Sequence, residues 1–331
     1  MIFFNFIILG TLITISSYSW MSMWMGLEIN LLSIIPLINS SKNCYSTEAS
    51  LKYFLTQTLA SLILMFAIIM MLLSIEFISP LMNQSMLLVM NSSLLTKLGA
   101  APFHFWMPEV MEGLSWTNCM IMFTWQKIAP MILIMNNKYN SKFLMLITIS
   151  SILMSSISMM NQISLRKIMT FSSINHIGWM IAAMMTNFSI WSIYFMTYSF
   201  LTIMLTMLFK WTKSFYIKQL SNSMNNQKAV KILLMCNFLS LGGLPPFWGF
   251  LPKWMIINTL LWNNLIIESL VMIILTLISL FVYIQLSYLT LIMNTEEPKI
   301  NQYKPQNKII NSLSLISLTA IISVTFILNS F

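Results

Sequence analysis

Residues 239–254 read LSLGGLPPFWGFLPKW and interrupt an apolar segment, 231–262, of about thirty residues. One membrane-spanning helix needs only about 20 apolar residues, so this segment is too long for a single span. Its glycines and prolines predict two half-helices that meet near the middle of a bilayer. Broken backbone at that depth is tolerated only where it faces protein or a water-filled cavity. The interruption comprises Gly242, Gly243, Pro245, Pro246, Gly249 and Pro252, with Lys253 directly after it.

The composition of the whole chain is that of an integral membrane protein. Of the 331 residues, 58% are hydrophobic and only 8% are charged, whereas a soluble domain carries roughly 25% charged residues. The formal net charge of +9 could indicate nucleic-acid binding, but the basic residues form no stripe with interleaved aromatic residues. We therefore expect a membrane protein that binds no nucleic acid.

The hydropathy pattern predicts an all-α polytopic membrane protein with about eleven transmembrane helices in one domain, 1–331. The apolar runs are long and continuous, which excludes the short alternating strands of a membrane barrel. A second discontinuous helix is predicted in LLTKLGAAPFHFWMPEV, residues 94–110, where Pro102 follows Gly99. The predicted spans are 2–20, 22–39, 52–75, 84–100, 115–135, 142–160, 165–185, 189–209, 231–262, 265–293 and 309–329.

The basic residues outside the spans are distributed unequally between the two sides of the membrane. The side that contains the N-terminus collects most of them, including those of a long basic loop, 210–231, whereas the other side has only Lys138 and Lys142. By the positive-inside rule, the N-terminus and this loop face the cytoplasm-equivalent side. A strong excess of methionine, with 32 residues, suggests an organelle gene, and in a mitochondrion that side is the matrix.

Four ionisable side chains lie inside the apolar segments. A charge at the centre of a bilayer costs from about 2.5 to more than about 10 kcal/mol, so it persists where a partner, an aqueous cavity or a function compensates. The pattern predicts a proton relay, with static buried ion pairs or lysines that reach interfacial water as the alternative. The relay would run from Glu28 through Lys97 and Lys127 to Lys253.

Glu28 is the predicted partner of Lys97. The other carboxylate in an apolar segment, Glu268, lies near a helix start and is expected to face headgroups or water. In the relay hypothesis Glu28 holds Lys97 charged, and separation of the two lets the lysine release its proton to bridging water. Glu109 follows the Pro102 break, and it is either a proton uptake site or a loop carboxylate.

The two histidines, His104 and His176, are too far apart in sequence to suggest a metal site. His176 is the stronger candidate for a relay near neutral pH, because Ser173 and Asn175 make its helix polar; a hydrogen-bonded structural role is the alternative. The three cysteines form no CxxC, and no glycine-rich phosphate loop is present. No cofactor or metal site is therefore expected in this chain.

Six strings along the sequence form a set that can be compared with known families: MGLEIN, STEASLKYFLTQ, KLGAAPFHFWMPEV, TWQKIAP, LRKIMTFSSINHIGWM and LSLGGLPPFWGFLPKW. Taken together, they resemble the antiporter-like subunits of respiratory complex I, the NADH-ubiquinone oxidoreductase of mitochondria. The resemblance spans most of the chain in consistent order but is weak over 294–331, and the Met-rich, Arg-poor composition is similar to that of insect mitochondrial genes.

The resemblance implies an antiporter-like fold and a subunit that pumps protons but oxidises nothing itself. FMN, iron–sulfur clusters and ubiquinone would be used elsewhere in the complex, and the partners would be other membrane-arm subunits and phospholipids of the mitochondrial inner membrane. A free-standing cation/proton antiporter and a structural subunit without pumping are the alternatives. The family's relay positions correspond to Glu28, Lys97, Lys127 and Lys253.

Overall fold

The computed structural model of the chain describes residues 2–39, 43–76, 80–137, 141–224 and 228–292. Over these ranges the regular structure is α-helical, apart from an isolated bridge between Ser164 and Tyr216. The helices are α1 (Ile2–Ser16), α2 (Trp20–Ile38), α3 (Cys44–Glu76), α4 (Pro80–Leu98), α5 (Trp106–Gly113), α6 (Trp116–Phe123), α7 (Trp125–Asn136), α8 (Ser141–Met159), α9 (Leu165–Thr186), α10 (Phe188–Thr212), α11 (Ile217–Met224), α12 (Lys228–Gly242), α13 (Phe250–Trp262) and α14 (Ile266–Ile292).

The helices have the length and surface of a multi-pass membrane protein. Seven spans within the described ranges are long and apolar enough to cross a bilayer. Along α3, Leu55, Leu59 and Leu62 are exposed while Tyr53 and Leu64 are buried, which is the pattern of a helix with one face toward lipid. The all-α membrane fold is confirmed. The number of eleven spans remains a prediction, and the predicted span 309–329 lies outside the described residues.

The chain forms two compact units, Met1–Ser151 and Ile152–Phe331. In the first unit α1 and α2 approach closely at two glycines. A methyl group added at Gly10 would lie 3.0 Å from the carbonyl oxygen of Gly26 and 3.0 Å from the backbone nitrogen of Asn30. Small residues at such crossings let two backbones pack directly against each other in a membrane.

The predicted break near Pro102 lies in the first unit and separates α4 from α5. Gly99 ends α4 with φ +74°, and the backbone N–H groups of Gly99 and Ala100 both donate to the carbonyl of Leu95. Such a left-handed residue just past a helix end suits glycine, which has no Cβ to collide with the backbone. The break is held by the indole of Trp106, which donates to the Thr96 carbonyl at 3.0 Å.

The predicted break in 239–254 lies in the second unit and separates α12 from α13. Gly243 ends α12 with φ +81°, in the same manner as Gly99 ends α4. At Gly249 the backbone passes so close to the carbonyl oxygen of Ser240 that no Cβ would fit between them. The interruption is therefore a tightly packed loop that returns to the end of α12.

A third interruption, of one residue, separates α6 from α7 inside the apolar span Trp116–Asn136, which agrees with the predicted span 115–135. Thr124 keeps a distorted right-handed helical conformation with φ −110° and ψ −72°, and its hydroxyl donates to the Met120 carbonyl at 2.8 Å. Such a hydrogen bond from a side chain to the carbonyl four residues earlier competes with the backbone hydrogen bonds of the helix and often bends it.

The segment 210–231, predicted as a loop, contains helical structure: the end of α10, all of α11 and the start of α12.

Candidate functional site

Lys97 lies in the last turn of α4, two residues before the left-handed Gly99. Its side chain is buried, with 9% exposed. Within the described part of the chain, no hydrogen bond or ion pair reaches its ammonium group. The remaining exposure opens into a small cavity between α2, α3, α4 and α7, so water is the available partner for this lysine.

Glu28 and Lys97, the predicted partners, are both in the first unit, and no ion pair joins them within 4.0 Å among the described residues. The Glu28 carboxylate is near enough to attract the Lys97 ammonium electrostatically, although no hydrogen bond or ion-pair contact joins the two among the described residues. Its Oε1 atom is enclosed and has no hydrogen-bond partner in that same part of the chain. An enclosed carboxylate oxygen without a partner is costly, so this carboxylate gains from an approach by a cation or by water.

Lys127 lies in the first turn of α7, directly after the Thr124 interruption. Only 2% of the residue is exposed, and it is among the largest side chains that the unit buries. The backbone N–H of Lys127 donates to the Thr124 carbonyl at 3.3 Å. The second predicted relay lysine therefore also sits where a helix is interrupted.

The cavity beside Lys97 contains several polar groups that the sequence analysis did not single out. Asn30 and Gln126 form two reciprocal hydrogen bonds, with Asn30 Nδ2 to Gln126 Oε1 at 3.2 Å and Gln126 Nε2 to Asn30 Oδ1 at 2.9 Å. The space open to water centres is about 20 Å³. The lining residues are Leu27, Asn30, Leu31, Tyr53, Gln57, Lys97, Gln126 and Pro130.

Lys253, in the second unit, reaches back from α13 to the end of α12. Its Nζ donates to the carbonyls of Leu241 at 3.1 Å and Gly242 at 2.9 Å. These are carbonyls at a helix C-terminus, where the helix dipole presents partial negative charge. The ammonium also lies 5.7 Å from the centre of the Trp179 ring. A half-helix end and an aromatic face thus stabilise the positive charge of Lys253.

His176 lies on the almost completely buried helix α9 of the second unit. Its Nδ1 is 2.8 Å from the hydroxyl of Tyr194, and its ring lies 5.1 Å from that of Tyr198. The neighbouring Asn175 donates through Nδ2 to Ser279 Oγ at 2.9 Å. The histidine is therefore in a hydrogen-bonded polar cluster, which suits both of the roles that the sequence left open.

Glu109 lies in the first turn of α5 and is largely exposed. The Nζ of Lys52 is 2.9 Å from Glu109 and 2.9 Å from Glu48, so the lysine joins α3 to α5 at the surface of the first unit. Exposed ion pairs of this kind contribute little stability. The contact holds the carboxylate at the surface, in the helix that follows the Pro102 break.

Glu268 does not face headgroups or water. Only 5% of this residue is exposed, although it lies in the first turn of α14. The expectation from its position near a helix start is therefore wrong, because depth along a helix does not fix which way a side chain points.

Comparisons with known proteins place the chain in a family. The model of the NADH:quinone oxidoreductase/Mrp antiporter transmembrane family matches residues 17–279. The chain is 49% identical to NADH-ubiquinone oxidoreductase chain 2 of Anopheles gambiae, over 96% of this chain and 92% of that protein. It is 41% identical to the protein of the same name from Equus asinus, over 86% of this chain and 83% of that protein.

The fold is similar to that of a chain in the solved structure of respiratory complex I from Thermus thermophilus with bound aureothin. The TM-score is 0.86, with 20% identity, and the match covers 96% of this chain and 76% of that one. The antiporter-like fold is thereby confirmed at low sequence identity. The chain therefore belongs to the NADH-ubiquinone oxidoreductase chain 2 family, within the NADH:quinone oxidoreductase/Mrp antiporter transmembrane proteins.

Proposed function

We propose that the chain is a core membrane-arm subunit of respiratory complex I and takes part in proton translocation across the mitochondrial inner membrane. NADH oxidation and ubiquinone reduction occur in other subunits, which hold the FMN and iron–sulfur clusters. The high identity to proteins named as chain 2 of NADH-ubiquinone oxidoreductase supports this role over a free-standing antiporter. Neighbouring antiporter-like subunits and phospholipids are the partners, and the N-terminus faces the matrix.

One observation carries the proposal: each of three buried lysines sits at an interruption of a helix. Lys97 precedes the break after α4, Lys127 follows the break at Thr124, and Lys253 caps the end of α12. Interrupted helices expose backbone groups that must be satisfied by protein or water, and paired interruptions mark ion sites in transporters. A lysine with a purely structural role would not require an interrupted helix beside it, so the repetition at three lysines favours a role in proton transfer.

The relay uses the ammonium groups as proton carriers. Lys97 gives a proton to water when Glu28 is apart from it, and Lys127 accepts one and passes it toward Lys253. The separation of Glu28 and Lys97 supports this order, because it leaves Lys97 without the contact that would retain its charge. Lys253 receives the proton beside the α12 carbonyls, with His176 as a further carrier and the exposed Glu109 as the proton uptake site.

The substitution Lys127→Met tests the proposed function. Methionine has a similar length and no titratable group, so we expect the proton-pumping rate of the assembled complex in liposomes to fall at least about tenfold. NADH oxidation coupled to pumping should fall with it. The amount of assembled complex, measured on native gels, corrects for any loss of stability.

Lys142→Met is the matched control, because Lys142 is exposed at the start of α8. We expect this variant to pump at the unsubstituted rate. Equal pumping by the Lys127→Met and Lys142→Met complexes would contradict the relay and favour a structural role for the buried lysine.

A further inference from the structure

We propose that the cavity beside Lys97 is a water site, and that Gln57 is a positioning residue that orients the water which takes a proton from Lys97. The proposal rests on the relay function and names a residue to which the relay gives no role. It starts from the arrangement of polar groups around the cavity. Lys97 and Gln57 are both buried, yet neither has a protein hydrogen-bond partner within the described ranges.

Helical spacing brings the polar groups of α3 to the cavity. Tyr53 and Gln57 are four residues apart and therefore lie on one face of the helix. Both line the cavity, with 3% and 5% of each residue exposed. An amide buried without a partner is costly. A water molecule in the cavity would accept from Gln57 Nε2 or donate to its Oε1 and remove that cost.

Two other amides that line the cavity, those of Asn30 and Gln126, already have hydrogen-bond partners. The amides of Asn30 and Gln126 use each other for two hydrogen bonds, which fixes their orientation and links α2 to α7. This pair closes the cavity on the side of α7, the helix that carries Lys127. Gln57, in contrast, makes no hydrogen bond to protein within the described ranges.

The cavity has enough room for water and enough partners to hold it. A buried water needs about 10–15 Å³ of space for its centre and two to four polar partners. The space here is about 20 Å³. Lys97, Gln57 and Tyr53 line it, and their side chains carry an ammonium, an amide and a hydroxyl that can bind water. An apolar cavity of this size would stay empty, but these groups favour occupancy.

The proton transfer is balanced without any change in oxidation state. An Nζ–H bond of Lys97 breaks as an O–H bond forms at the water, and the water releases one of its protons to the next carrier. Lys97 becomes neutral, and it regains a proton in the following cycle. Gln57 gains and loses no proton, since it only orients the water by hydrogen bonding.

Two substitutions at Gln57 separate a water-positioning role from a packing role. Gln57→Leu fills the space with an apolar side chain, and we expect it to lower the pumping rate of the assembled complex about tenfold. Gln57→Asn keeps an amide that can still bind the water, and we expect it to retain most of the pumping that the leucine variant loses. A packing role predicts the opposite order, because leucine nearly matches the volume of glutamine whereas asparagine leaves a cavity.

Gln285→Leu, at an exposed glutamine of α14, controls for the loss of an amide from a membrane helix and should pump normally. Pumping that is lower for Gln57→Asn than for Gln57→Leu, or unchanged in both, would overturn the role of Gln57. If Gln57→Leu fails to assemble, Gln57→Met, which also replaces the amide by an apolar side chain of similar length, takes its place, and normal pumping by that complex would overturn the role of Gln57. Loss of pumping in Lys127→Met but not in the Gln57 variants would overturn this inference alone.

Discussion

Replacing Lys97 by methionine is expected to lower the proton-pumping rate of the assembled complex by about 100-fold, the lower part of the range for removing a positioned acid or base. Lys97 is the buried lysine that lines the cavity, and methionine would remove the ammonium group that donates the proton in the proposed relay. The measurement is the rate of pH change inside liposomes that contain the complex, after addition of NADH and a quinone.

Lys97→Arg separates charge from proton exchange. Arginine keeps the positive charge beside Glu28 but does not lose its proton in proteins. We expect the arginine complex to assemble better than the methionine complex and yet to pump as poorly. Normal pumping by Lys97→Arg would mean that Lys97 supplies only a fixed charge, and the relay through its Nζ would then be wrong.

The second large effect is expected at Lys253, where substitution by methionine should also reduce pumping by about 100-fold. The neighbouring glycines allow a subtler version of the same test. A methyl group at Gly243 would lie 2.8 Å from Lys253 Cδ and 2.9 Å from its Nζ, and Gly243 has φ +81°. Gly243→Ala therefore displaces the lysine from the end of α12 without removing its charge, and we expect pumping to fall about tenfold, the effect of roughly 1.4 kcal/mol on a rate.

Gly242→Ala is the matched control for this displacement. Its methyl group would meet Leu280 at 3.4 Å, an ordinary packing distance, and Gly242 has no left-handed backbone. We expect the Gly242→Ala complex to pump nearly normally. Equal losses in the two alanine variants would indicate general damage to the break, and equal retention would show that capping of α12 by Lys253 is unimportant.

The two long interruptions could be predicted from the sequence because glycine and proline act locally. Gly99 and Gly243 each end a helix in the left-handed conformation that a following break requires. The interruption at Thr124 carries a weaker signal: threonine is common in membrane helices, and only its hydrogen bond to the Met120 carbonyl marks the change. Pro130, four residues after Gln126 in the same segment, could have drawn attention to this helix.

The buried lysines could be predicted as a set, but their surroundings could not. Charge in an apolar run is visible in the sequence, whereas the cavity joins Asn30, Gln57 and Gln126 from three different helices. Which faces of those helices meet depends on how the helices rotate and pack, and periodicity alone does not fix this. The same limitation explains Glu268, whose depth was predictable but whose buried orientation was not.

The central claim, that the buried lysines act in series on one proton path, is tested most directly by combining Lys97→Met with Lys127→Met and measuring the proton-pumping rate of the assembled complex. Residues that act as one unit are strongly non-additive, so the double variant should lose no more than the worse single variant. Losses that multiply in the double variant, or a pumping rate equal to that of the unsubstituted complex, would contradict a single path through Lys97 and Lys127.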